Sequence, residues 1–212
     1  MIQNTRAARC TGAFVVALLA VALVAAAPSR AQEAPDALVK RVSQDVLATI
    51  KADPLIQAGN EARIRDIIEV KLLPNFDFER MTALAMGKNW RSATPEQQKR
   101  LTDEFRTLLV RTYSGALNQY RNETIDYKPL RASPADTEVI VRTAVQKPGG
   151  SPVQIDYSME KKADGWKAYD VIVGGVSLVT NFRDEFNAQI QSGGVDGLIK
   201  TLANKNKGAP AK

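Results

Sequence analysis

Two stretches decide the fold: Glu138-Val139-Ile140-Val141-Arg142 and Val153-Gln154-Ile155-Asp156-Tyr157-Ser158-Met159, with Pro148-Gly149-Gly150 between them. Side chains in a strand alternate between two faces, so apolar residues recurring every second position give each run one apolar face. The Pro-Gly-Gly turn joins the runs as an antiparallel hairpin. Downstream, Asp164-Gly165 opens a second turn into a strand from Trp166 to Val173, and residues 124–131 offer a further strand. The expectation is an antiparallel sheet of about four strands, ended by Gly174-Gly175.

Upstream the period is helical. Residues 36–51 place Leu38, Val39, Val42, Val46, Leu47 and Ile50 on one face, and residues 60–73 do the same with Ile64, Ile67, Ile68 and Leu72 behind an Asn60 cap. Pro74 stops that helix, and Asp77 caps a short one through Phe78, Met81 and Leu84 that closes near Gly87. Thr94-Pro95-Glu96-Gln97 combines a cap, a proline at the first helical position and a capping box. A helix about 40 Å long follows, to about Tyr120, with Leu101, Phe105, Leu108, Leu109, Thr112, Ala116 and Tyr120 on its apolar face. After the sheet, Val179, Phe182, Phe186 and Ile190 mark another helix, and Val195 to Asn204 a last short one. Strands grouped between blocks of helices, without strand–helix alternation, predict an α+β fold with the sheet packed on several helices.

Arg6 and Arg9, the apolar run Ala13 to Ala27 and the small residues after it have the layout of a secretory signal. The run is shorter than the roughly 18 residues of a spanning helix. Cleavage fits after Ala27 or after Ala31, and the second is preferred, giving a signal over 1–31, one domain over 32–206 and a basic tail over 207–212. The expected compartment is the periplasm. Cys10 precedes the apolar run, the wrong place for lipidation, and leaves with the signal.

Removal of the signal takes away Arg6, Arg9 and Arg30, so the formal charge falls from +6 to +3, 26 basic residues against 23 acidic. Lys200, Lys205, Lys207 and Lys212 follow the last acid, so residues 32–199 carry −1. No clustered basic face suits nucleic acid. The chain has no His, and its one Cys is Cys10. Thiol and His-based catalysis and the usual zinc or copper ligand sets are therefore excluded from the mature chain, and no cofactor, metal or enzymatic activity is expected. Asp170, in an otherwise apolar strand, reads as a structural hydrogen-bond acceptor. The absence of a heptad seam leaves a monomer as the expectation. From the residues alone, the chain is an exported α+β domain that binds something apolar in a cleft between sheet and helices, or closes as a filled core.

Several stretches in order carry this further. Leu73-Pro74-Asn75-Phe76-Asp77-Phe78, Met81 to Gly87, Trp90 to Gln97, and Glu104-Phe105 with Leu108-Leu109 resemble the helical half of the MlaC (toluene-tolerance auxiliary) family. Gly165-Trp166-Lys167-Ala168-Tyr169-Asp170-Val171, Gly175 to Val179, Asn181-Phe182-Arg183 with Phe186, and Gly194 to Ile199 resemble its second half. The resemblance spans about residues 36–206. It implies a periplasmic phospholipid carrier between an outer-membrane lipoprotein–porin complex and an inner-membrane ABC transporter with an MCE-domain ring, maintaining outer-membrane lipid asymmetry. A hopanoid cargo or a protein-binding adaptor role are the alternatives. With the periodicity, it implies an acyl pocket lined by Phe105, Leu108, Leu109 and Thr112 of the long helix and by Val139, Val141, Ile155, Tyr157, Val171 and Val173 of the sheet.

Overall fold

Side-chain caps at Asp53, Asn60, Asp77, Thr94 and Ser177 set where the helices that follow them begin. A computed structural model describes residues 32–117 and 123–208, which belong to one compact unit starting at Gln32. The expected signal (1–31), residues 118–120 at the expected end of the long helix, and the end of the expected tail (209–212) lie outside the described residues. Helix α1 (Pro35–Ala52) buries Leu38, Val39, Val42, Val46 and Ile50 of the expected stripe and leaves Leu47 half-buried. Asp53 then accepts from the Leu55 amide and starts a single turn, α2 (Pro54–Gln57), which no periodicity announced. Asn60 caps α3 (Glu61–Ile67) by accepting from Arg63 N.

The helix expected over 60–73 does not continue as one α-helix. After Ile67 it widens into a π turn (Ile68–Leu72) and then tightens into a 3-10 turn (Leu73–Asn75). Pro74 explains the change: its ring collides with the carbonyl four residues back, and it brings no N–H. Asp77 caps α4 (Phe78–Met86), which ends at Gly87 in left-handed backbone with φ 56°. Thr94 N donates to Gln97 Oε1 at 3.0 Å and Gln97 N to Thr94 Oγ1 at 3.2 Å, the reciprocal box expected ahead of α5 (Pro95–Leu117).

The sheet is a meander of five antiparallel strands in sequence order: β1 (Thr124–Tyr127), β2 (Glu138–Gln146), β3 (Val153–Lys162), β4 (Gly165–Val173) and β5 (Val176–Ser177). The fifth is one more than expected, because two residues are too few to show alternation. Ser177 caps α6 (Leu178–Asn181), and α7 (Arg183–Lys207) follows with a kink at Gly194, φ 67°. That kink lies where the sequence separates a helix ending near Ile190 from one starting at Val195. Asp170 is buried as a structural acceptor: it takes Val179 N at 3.2 Å and pairs with Ser177 Oγ at 2.5 Å, which ties β4 to the start of α6.

Two apolar cores result. One lies between α1, α3 and the sheet, with Val139, Val141, Met159, Trp166 and Ala168 beneath Leu38, Val39 and Val42. The other joins α4, α5 and α7 through Met81, Leu101, Phe105, Phe186 and Leu198. At the sheet edge an ion network fastens α4. Arg80 pairs with Glu160 at 2.6 Å and Glu138 at 2.8 Å, its guanidinium lies 3.6 Å over the Tyr169 ring, and Lys162 reaches Asp77 at 2.7 Å.

Burial pushes the Asp77 carboxyl up, but the Arg80 amide and Lys162 outweigh it and hold it below the usual carboxylate range. The hydrogen bond from Arg80 does the same for Glu138. A carboxylate whose folded pKa is depressed stabilises the fold above its unfolded pKa, and that contribution is lost as pH falls through the folded value. Unfolding free energy from urea titrations is therefore expected to decline as pH drops below about 4.5 and on past 3.8, the ordinary values of these groups. Asp77→Asn keeps a capping side chain but cannot bind Lys162 as an ion, so it should flatten the decline. An unchanged slope in that variant would place the acid sensitivity elsewhere.

Candidate functional site: an apolar sheet face that opens at one end

Strand register puts the apolar residues of three strands on one face. Val139 pairs with Met159; Val141 with Tyr157, which pairs with Val171; and Ile155 with Val173, which pairs with Val176. A register shift between Ser158 and Met159 lets Ala168 and Trp166 join the same face. All six strand residues expected to line a pocket therefore share one surface. Thr143, Val145, Ile125 and Tyr127 extend it across β2 and β1. Continuing the alternation that begins at Val139 past Arg142 reaches Thr143 and Val145, whereas nothing in the sequence marks the two-residue β5.

The face is covered unevenly. Val141 is 2 % exposed and Met159 1 %, under α1, while Ile155 and Tyr157 are half-buried and Val173, Val153 and Val176 are 36 %, 41 % and 57 % exposed. The polar groups at Thr143 and Tyr127 already have partners. Thr143 Oγ1 donates to Ile155 O at 2.8 Å. Tyr127 OH and Ser43 Oγ lie 2.8 Å apart, and Ser43 Oγ donates to Val39 O, so the phenol is the donor between them. A ligand on this face thus meets hydrocarbon and satisfied hydroxyls, which suits an apolar chain and not a polar one.

The long helix is placed differently from the expectation. Phe105, fully buried, meets Phe182 and Phe186 edge-on with both ring centroids at 5.1 Å, and Leu109 and Leu108 pack with it in the α4–α5–α7 core. Thr112 is exposed, its hydroxyl turned back to Leu108 O. The α5 residue in the sheet core is Val110, about 140° around the helix from position 105. The broad stripe of α5 is spent on helix packing, so the structure does not bring Phe105, Leu108, Leu109 or Thr112 to the sheet face. Two surface hollows, about 720 Å³ beside Ala48, Ala52, Pro54 and Leu55 and about 410 Å³ beside Phe76, Phe78, Lys162 and Lys167, are lined by none of the ten expected residues.

A five-stranded meander packed against helices, its apolar face buried along β2 and most exposed at Val153, Val173 and Val176, defines an α+β protein. The chain belongs to the MlaC protein family, whose model matches residues 40–204. It is 29 % identical to the toluene tolerance protein ttg2D of Pseudomonas putida over 81 % of this chain and 80 % of that one. Identity to the intermembrane phospholipid transport system binding protein MlaC of Haemophilus influenzae is 23 %, over 81 % and 82 %. Among solved structures, a phospholipid-binding protein from Ralstonia solanacearum, in complex with a phospholipid, superposes with a TM-score of 0.76 at 45 % identity, covering 81 % of this chain and 96 % of the other.

Proposed function

We propose that this chain is a periplasmic phospholipid carrier, exported by a signal cut after Ala31, which holds acyl chains against the open end of the sheet face. The observation that carries the reading is the uneven cover of that face, from Val141 at 2 % exposed to Val173 at 36 % and Val176 at 57 %. Its similarity to a phospholipid-bound relative over most of the chain supports the choice of ligand.

The physics bounds how such a carrier works. Burying acyl chain is worth about 0.8 kcal/mol per methylene, so a two-chain lipid of about 30 methylenes stands to lose on the order of 24 kcal/mol in water. Transfer without a carrier is negligible. The cleft must come close to matching the bilayer, since a much tighter site never releases and a much looser one never loads. Net direction then comes from the partners, an inner-membrane MCE-domain ABC transporter complex and an outer-membrane lipoprotein–porin complex, because a carrier alone only equilibrates. No catalytic group, metal or second copy of the chain is needed.

Transfer of fluorescent phospholipid between donor and acceptor vesicles tests the reading. The monomeric protein should accelerate transfer in proportion to its concentration, without nucleotide and unaffected by chelator. Absence of acceleration, or its loss on chelation, would sink it.

A further inference from the structure

The first described residue is tied to a turn far away in the sequence. Gln32 Nε2 donates to Lys162 O at 2.9 Å, across 130 positions of sequence. The amide lies over Gly165, where an added Cβ would sit 4.0 Å from Nε2. Three residues later α1 begins at the buried Pro35, and Lys162 itself pairs with Asp77. The contact thus fastens the start of α1 to the β3–β4 turn, at the covered end of the sheet face.

We infer that Gln32, once it is the mature N-terminus, is a site of pyroglutamate formation that the fold restrains. This rests on the cut after Ala31 in the reading above. A free terminal glutamine can cyclise: its α-amine attacks its own side-chain carbon Cδ, the N–Cδ bond forms, the Cδ–Nε2 bond breaks, and Nε2 leaves as ammonia with a proton from the amine. No oxidant or cofactor is required. The product is an uncharged five-membered lactam. The expelled nitrogen is the one that donates to Lys162 O, so docking and cyclisation exclude each other. Cyclisation would therefore cost the chain both a terminal positive charge and the tether at the start of α1.

The test follows ammonia loss from the N-terminal peptide by mass spectrometry over time, at one pH and temperature. Three samples are compared: the exported protein in native buffer, the same protein in denaturing urea, and a synthetic peptide of residues 32–40. The native protein should start with an intact Gln32 and cyclise roughly 2- to 10-fold more slowly than the other two, the range one net hydrogen bond supports. Equal or faster loss in the native protein, a terminus fully cyclised on isolation, or a first residue other than Gln32 each overturns the inference. Lipid content measured on the same native sample reports on the carrier reading separately.

Discussion

Tryptophan in place of Val173 or Ile155 is expected to strip phospholipid from the protein while leaving its thermal unfolding cooperative. Both side chains lie on the apolar face where its cover gives out, Val173 36 % exposed and Ile155 half-buried, so an added ring takes space a ligand would fill and does not displace neighbouring protein. Displacing even three methylenes costs about 2.4 kcal/mol at about 0.8 kcal/mol each, roughly fiftyfold in affinity. For Val173 the stability cost should stay near the few tenths of a kcal/mol usual for exposed positions, and half-buried Ile155 should cost more without losing the cooperative melt. Val141→Trp is the contrast, because Val141 is 2 % exposed under α1 and the ring would overpack that core. Lipid counted per folded molecule and a melting curve on each variant give the comparison. Full lipid retention in both rim variants would move the site off this face.

Phe105→Ala is expected to produce the opposite pattern. Phe105 is fully buried and meets two other phenyl rings edge-on, so truncation removes its burial, leaves a cavity and breaks both ring contacts. The expected loss is about 3–5 kcal/mol, which lowers the melting temperature by roughly 10 °C or more in a domain of this size. Phospholipid per folded molecule should match the parent, since Phe105 belongs to the helical core and not to the sheet face. Loss of lipid from a variant that still melts cooperatively would place the acyl chains between α4, α5 and α7.

These two variants separate what was legible in the sequence from what was not. Strand alternation is a property of the backbone, so Val139, Val141, Ile155, Tyr157, Val171 and Val173 could be assigned to one face, and the register confirms that they share it. The caps at Asn60, Asp77 and Thr94 were equally plain, because each is a local hydrogen bond between residues three apart. The long helix was harder. Periodicity shows that Leu101, Phe105 and Leu109 need a partner, but nothing in their spacing says whether that partner is a sheet or another helix. Only the placement of α7, brought back over α5 by the chain after β5, decides it for the helix. Val110 contacts the sheet core as a single residue outside the main stripe, and one residue makes no period. The π turn at Ile68–Leu72 could not be foreseen from apolar spacing, although Pro74 marked where the regular helix had to end.

The uneven cover of the sheet face also bears on how it would hold a ligand. Where α1 lies on Val139 and Val141, protein already occupies the apolar surface, and the Ser43–Tyr127 hydrogen bond holds α1 against the edge strand. Toward Val173 and Val176 the same surface becomes more exposed, although Thr143 and Val145 on β2 stay buried. A two-chain lipid laid there replaces water with hydrocarbon on both partners, and no polar group of Thr143 or Tyr127 has to give up its hydrogen bond.

The central claim, that this face holds phospholipid, is most directly tested by extracting the purified protein with organic solvent and quantifying the extract by mass spectrometry. About one phospholipid per chain, chemically intact after long incubation, is the predicted result. A lipid-free extract from folded protein, or free fatty acid in place of phospholipid, would contradict it.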